Sequence, residues 1–267
     1  MKVTLNPLFN KKYSKGVEIL SIGTELILGD IVNTNSRWIA HQLSLLGINH
    51  FRQSTIGDNT YRISALVQEI SKRSDLLITT GGLGPTPDDL TTEAIAKAFQ
   101  EELIEREDLW RRIKERLSNS NLNIENSSLK KQSFFPRNAQ IINNPRGTAP
   151  GMIWEPINGF TIMTFPGVPS ELKEMWRESA REYLFNNFSD GSVFFSNTIK
   201  FVGIGESTIA EEIPDLLHLN NPTLAPYANL GEVKLRITAK AKSESEAKII
   251  IQPVKERLKE KFSNYIF

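Results

Sequence analysis

The chain has 267 residues, 32 basic and 31 acidic, with a formal net charge of +1 and 39% hydrophobic side chains. That composition supports a sizeable core and leaves no strongly basic footprint for nucleic acid or an anionic membrane. The absence of cysteine excludes disulfides, zinc–thiolate sites and cysteine nucleophiles and fits a cytoplasmic protein, and no apolar run approaches the ~20 residues that span a bilayer.

Residues 1–16 hold basic clusters and no apolar segment, so a disordered leader is expected rather than a signal peptide. Val17 to Gly23 predicts a strand ending on a glycine. Asn33 or Asn35 is placed to cap a helix running to about Leu46, with Ile39, Leu43 and Leu46 on one face and Gly47 as its stop. Ile48 to Ile56 predicts a second strand, and Thr60 to Lys72 a helix with Ile63, Leu66, Val67 and Ile70 along one stripe. Asp75 to Thr80 is a continuous apolar strand of the kind buried in parallel sheets, followed by a helix from Thr91 or Thr92 to Phe99.

Glu101 to Lys131 is charged and helical in its first half, and Ser118 to Ser128, rich in Asn and Ser, reads as a loop. Gly151 to Trp154 and Phe160 to Phe165 predict strands, and Pro169 to Phe185 a helix with Leu172, Met175 and Trp176 inward. The alternation predicts an α/β fold with a doubly wound, mostly parallel sheet over residues 17–190. After the turn Ser189-Asp190-Gly191-Ser192 the order changes. Strands at Val193–Val202, Thr223–Tyr227 and Glu232–Lys240, a short helix from Ser207 to Ile213 and a last helix from Ser243 to Lys261 predict a small α+β domain over 191–267.

Three glycine-bearing turns follow predicted strands, where open α/β sheets bind ligands. The first, Gly23-Thr24-Glu25-Leu26-Ile27-Leu28-Gly29-Asp30, is weak alone and reads equally as a solvated loop. In the second, Gly81-Gly82-Leu83-Gly84-Pro85-Thr86-Pro87-Asp88-Asp89-Leu90-Thr91, the glycines would let backbone N–H groups approach an anion at a helix N-terminus. Asp88 and Asp89 would then repel that anion unless a divalent cation lay between; the plainer alternative is that one or both merely cap the helix. The third pairs Asn144-Pro145-Arg146-Gly147-Thr148-Ala149-Pro150-Gly151 with Phe165-Pro166-Gly167-Val168-Pro169-Ser170-Glu171. There Arg146 is suited to phosphate or is a surface arginine, and Glu171 sits where a capping-box acid would. His41, His50 and His218 have no partner spacing, and the glycines at 203 and 205 do not make a GxxG clamp for RNA.

Gly23-Thr24-Glu25-Leu26 with Gly29, the run Gly81 to Thr91, Asn144 to Gly151, Phe165 to Pro169, Gly203-Ile204-Gly205-Glu206-Ser207 and Gly231 to Arg236 together resemble the CinA (competence/damage-inducible) family over about residues 17–262. The resemblance implies a molybdopterin-binding-like first domain, a KH-type second module and a homodimer. It further implies metal-dependent hydrolysis of the pyrophosphate bond of ADP-ribose, with a functional Asp at the place of Asp89. Many members continue into a domain that deamidates nicotinamide mononucleotide; this chain stops at Phe267, and no deamidase activity is expected of it.

The expected ligand is a nucleotide or pterin phosphate rather than a nucleic acid or membrane. Gly23, Thr24, Glu25, Gly29, Gly81, Gly82, Gly84, Thr86, Thr91, Arg146 and Gly167 would bind it, Asp88, Asp89 and Glu25 would hold the divalent metal, and Asp88 and Asp89 would be catalytic. A binding module without hydrolysis, and a nucleic-acid or scaffolding role through the small module, are the alternatives, the neutral charge and the missing GxxG loop arguing against RNA.

Overall fold

The structure, a computed structural model, describes residues 16–117, 128–229 and 231–267. The described residues gather into two compact units, one of residues 16–41 with 49–183 and one of residues 42–48 with 184–267. The expected leader and the Ser118–Ser128 loop lie outside the described residues apart from their last residues. Gly16 donates its amide to Asp75 Oδ2 at 3.2 Å, and Ser128 opens a 3-10 turn through Ser133.

In the first unit the apolar runs become the centre of the sheet. β1 (Val17–Ile22) and β3 (Leu76–Thr80) are buried at every position, as is β8 (Phe160–Phe165). β2 (His50–Ile56) is an edge strand and correspondingly polar. The strand order is β2-β1-β3-β8-β7-β6, with β2, β1, β3 and β8 parallel. β7 (Gly151–Ile157) runs antiparallel to β8, and the three-residue β6 (Gln140–Ile142) antiparallel to β7. A separate two-stranded ladder joins β4 (Leu103–Glu105) to β5 (Phe134–Pro136).

Alternation along the strands divides the core between two faces. Leu20, Ile22, Leu77, Phe160 and Ile162 meet Ile63, Val67 and Ile70 of α3 (Thr60–Ser71), Ala94, Ile95 and Ala98 of α4 (Thr91–Ala98) and Leu109 of α5 (Glu107–Leu117). Asn59 caps α3 by accepting from the Arg62 amide at 3.0 Å. On the opposite face Phe165 packs on Trp176 at 6.0 Å between ring centroids, and Trp176 meets Trp38 edge-on at 5.5 Å. Trp38 belongs to α2 (Thr34–Leu45). Trp176 opens a π-turn (Trp176–Ala180) that joins α6 (Pro169–Met175) to α7 (Arg181–Phe188), so the expected helix continues past Phe185 with one wide turn inside it. The stretch Thr24–Leu28, expected as loop, is a short helix, α1, with none of its residues buried; Gly29 ends it at φ +79.

In the second unit β9 (Val193–Val202), β11 (Glu232–Ala241) and β10 (Thr223–Asn229) form an antiparallel sheet in the order β10-β11-β9. α8 (Glu206–Glu212), α9 (Pro214–Leu217) and α10 (Glu244–Lys261) contribute Ile209, Leu216, Ala247, Ile251, Val254 and Leu258 to its core. Ser243 caps α10: its Oγ accepts from the Glu246 amide, while the Glu246 carboxylate accepts from the Lys242 amide one residue before the cap.

Candidate functional site

β1, β3 and β8 deliver Gly23, Gly81 and Gly167 to one edge of the sheet. β1 is followed by β2 on one side and β3 lies on the other, so the crossover direction reverses between β1 and β3. That is the switch point where such sheets open a crevice. The edge is tied together across the strands. The Gly81 amide donates to Phe165 O at 3.0 Å, and Thr80 Oγ1 donates to Pro166 O at 3.0 Å. Asn35 Nδ2 donates to Thr80 Oγ1 at 2.9 Å and to Gly167 O at 2.8 Å, while Asn33 Nδ2 donates to Ser21 Oγ at 2.8 Å. Asn33 also caps α2 through the Ser36 amide.

The Gly81–Thr91 turn crosses this edge. Gly81 has φ +104, and a Cβ there would stand 2.0 Å from Ile22 O. Gly81 is therefore glycine because β1 passes against it, and its amide is committed to β8, which corrects the expectation that this amide approaches an anion. Thr91 is corrected likewise: it is fully buried, its hydroxyl donates to Gly81 O at 2.8 Å and its amide to Gly82 O at 3.1 Å. The amides of Gly82, Leu83 and Gly84 have no partner among the described residues. α4 begins with Leu90 as N-cap, which offers no side-chain bond, so neither Asp88 nor Asp89 caps it.

Asp89 closes the turn instead. Its Oδ2 accepts from the Thr86 amide at 2.9 Å and from the Thr86 hydroxyl, and it lies where a Cβ on Gly84 would stand, 2.4 Å away. Lys131 fastens the turn from outside, its Nζ donating to Thr86 O at 3.0 Å and to Asp89 O at 2.6 Å. Asp88 is exposed. The nearby Thr86 hydroxyl and the Asp88 backbone amide hold its carboxyl below the usual aspartate range against a small desolvation, with Lys131 adding a weaker pull.

Two cavities flank the turn. One of about 100 Å³ opens over α2 and α6, between Glu25, Leu26, Ile31, Val32, Asn33, Asn35, Thr80, Gly81 and Gly167. The other, of about 290 Å³, lies on the α4 side between Gly82, Leu83, Gly84, Asp89, Thr92, Glu93, Leu103, Lys130, Lys131, Gln132, Phe134, Phe135 and Pro150. The expected metal set is thus divided: Glu25 lines the smaller cavity and Asp89 the larger. Among the described residues no three Asp, Glu or His side chains gather as a metal cradle.

Other expected ligands have local duties. Thr24 donates its amide and hydroxyl to Asp58 Oδ2 at 2.7 and 2.8 Å. Gly23 is extended, at φ 164, and Gly29 is the exposed end of α1. Arg146 Nη2 pairs with Glu174 at 3.2 Å and projects from the Asn144 loop, which Arg116 braces by donating to Asn144 O and Pro145 O. Glu171 does not cap α6; its Oε2 accepts from Asn144 Nδ2 at 2.7 Å.

Several lining groups escaped the sequence reading. Asn33 and Asn35 were legible only as caps. Lys131, Gln132 and Phe134 follow the undescribed segment 118–127 in a stretch with no periodic or motif signal.

A doubly wound sheet with an anion-suited glycine turn at its switch point, followed by a small α+β unit, defines the class. Residues 18–186 match the family described as "Probable molybdopterin binding domain", and residues 196–267 match "Damage-inducible protein CinA KH domain". The chain belongs to the CinA family. It is 73% identical over 254 residues to a CinA-like protein of Prochlorococcus marinus (strain MIT 9312), and 71% identical over 254 residues to one from strain MIT 9301. Each match covers 95% of this chain and 60% of the relative, so the chain spans about three-fifths of those proteins. A solved structure of the protein CinA, of unknown function, from Thermoplasma acidophilum is 31% identical; the match covers 64% of this chain and 98% of that one, with a TM-score of 0.59.

Proposed function

We propose that this protein binds a phosphorylated heterocyclic ligand, a nucleotide or pterin phosphate, on the Gly82–Gly84 turn, and that it hydrolyses a nucleoside diphosphate linkage there with a divalent cation, ADP-ribose being the candidate substrate. The observation that carries the reading is the set of amides at Gly82, Leu83 and Gly84 without a partner among the described residues, placed before the uncapped N-terminus of α4 and beside a cavity of about 290 Å³. Amides so placed favour an anion.

The carboxylate of Asp89 lies against Gly84, so a phosphate on those amides meets a negative charge at once. A Mg²⁺-type ion resolves the conflict, since it binds through one or two carboxylates plus phosphate oxygens. Asp88, exposed and readily ionised, fits as its protein ligand. Held there, such an ion would supply charge neutralisation for the diphosphate and a more acidic water. Asp89 Oδ2 is occupied by Thr86, which leaves Oδ1 to take the water's proton. The water oxygen bonds to one phosphorus, the bond from that phosphorus to the bridging oxygen breaks, and AMP and ribose phosphate leave.

AMP release from ADP-ribose, followed with Mg²⁺ and with a chelator, tests the reading. Asp89→Asn keeps a carbonyl oxygen for Thr86, so the variant is expected to fold, to bind inorganic pyrophosphate and to lose turnover by about 10²–10⁴-fold. Wild-type turnover by that variant sinks the role of Asp89. Wild-type chain that binds pyrophosphate and releases no AMP with any divalent metal supports the second reading, a binding module without hydrolysis. That reading is favoured by the lack of a three-carboxylate cradle among the described residues.

A further inference from the structure

Gln132, in the wall of the larger cavity, has a half-complete set of hydrogen bonds. It is 6% exposed and lies beside Phe134, Phe135, Leu103 and Gly84. Its Nε2 donates to Leu83 O at 3.1 Å. A carbonyl can only accept, so this bond fixes which end of the carboxamide faces the turn. Oε1 is thereby left buried without a donor among the described residues. A buried acceptor in this condition is destabilising, and it calls for a donor from outside the described residues.

Of the polar groups in this wall, Lys130 pairs with Glu105 at 3.1 Å, and Lys131 is held by Thr86 O and Asp89 O. The neighbouring walls are aromatic and aliphatic, suited to a flat ring. A cavity of about 290 Å³ is at the lower end of those that hold small ligands.

We propose that Gln132 is a specificity-determining residue: its Oε1 accepts an N–H from the amino group of a planar heterocycle held in this cavity, while the phosphate of the same molecule sits on the Gly82–Gly84 amides. The inference rests on the phosphate reading above and deepens it by naming the ring chemistry. An amino-substituted purine and an amino-substituted pterin both carry the donor.

Calorimetric titration of the full chain with AMP, hydroxymethylpterin phosphate, purine riboside monophosphate and inorganic pyrophosphate tests it. Purine riboside monophosphate has the ring and phosphate of AMP without the amino group. The wild-type chain is expected to bind at least one amino-bearing ligand about tenfold more tightly than the amino-free one, a ratio set by one hydrogen bond to a buried acceptor. AMP against the pterin phosphate identifies the source of the ring. In Gln132→Met, checked for folding by its thermal transition, the preference of the wild type for its amino-bearing ligand over purine riboside monophosphate is expected to vanish while pyrophosphate binding stays within about twofold, one phosphate-facing turn being common to both proteins. If that variant does not fold, the ligand comparison on the wild-type chain decides alone. Pyrophosphate binding with neither AMP nor the pterin phosphate preferred over purine riboside monophosphate overturns the role of Gln132 and leaves the phosphate site standing. Failure of pyrophosphate to bind overturns both.

Discussion

Replacing Gly81 with alanine separates the part of the glycine turn that is tied to the sheet from the part whose amides are open. At φ +104 the backbone lies outside the left-handed basin that an L-residue tolerates, a strain of about 1–3 kcal/mol. The added Cβ would stand 2.0 Å from Ile22 O, a backbone atom of the central strand. Relief requires β1 and β3 to part by about an ångström or more, which severs the ladder or the Gly81–Phe165 bond and adds about 1–3 kcal/mol of overpacking.

Gly29 is the control. Its φ of +79 carries left-handed strain of about 1–2 kcal/mol, but a Cβ added there would meet nothing within 4 Å. Reduced unfolded-state entropy returns about 0.4–1 kcal/mol in both variants. Gly81→Ala is therefore expected to lose about 2–5 kcal/mol and Gly29→Ala about 1 kcal/mol or less. All four tryptophans, Trp38, Trp110, Trp154 and Trp176, lie in the first unit, so urea unfolding followed by tryptophan fluorescence reads that unit. Equal losses in the two variants would refute the argument from the Ile22 contact.

Two further expectations concern the same unit. Glu18, buried in β1, accepts from Arg73 Nε at 2.7 Å and Ser74 Oγ at 2.6 Å. Burial pushes its carboxyl up, but the bonds from Arg73 and Ser74 and the charges of Arg73 and Arg52 outweigh that and hold it below the usual range. A depressed folded pKa gives stability that is complete above the unfolded value of 4.5 and is lost as pH falls through the folded one. Glu18→Gln should cost about 2 kcal/mol at neutral pH, since Arg73 keeps Glu69 and some solvent, and should flatten the loss of stability below pH ~4.5 in acid titrations of unfolding. A variant that falls off in acid as steeply as wild type would contradict this. Asn35→Ala removes two bonds across the sheet edge, to Thr80 and Gly167, and should lower stability by about 1–2 kcal/mol and speed hydrogen exchange at the Gly81 amide; unchanged protection there would show that Asn35 does not brace the edge.

Much of the fold was legible because its elements are long and their periods clear. β3 read as a continuous apolar run, β1 as a strand closed by a glycine, and α3 as a complete stripe. The elements missed include those too short to carry a period: the three-residue β4, β5 and β6, the four-residue α9, and α1 with five residues and none buried. At the site the glycine run was plain, but the duty of each member was set by distant chain. Gly81 is governed by Phe165 and Ile22, Arg146 by Glu174, and Glu171 by Asn144. Gln132 had no signal at all, because a single glutamine acquires meaning only when one end of its amide is found committed to Leu83.

The turn thus assigns its residues to separate tasks. Gly81 and Thr91 join the turn to the sheet and to α4, and they leave Gly82, Leu83 and Gly84 as the segment with open amides. Asp89 belongs to both tasks, since the oxygen that accepts from Thr86 holds the loop against Gly84. Removing its side chain would therefore confound folding with chemistry, whereas its amide keeps the acceptor and discards only the charge. The distinction between a hydrolase and a binding module rests on that charge: simple binding gains from its loss, because the carboxylate repels a phosphate, and metal-assisted hydrolysis cannot spare it.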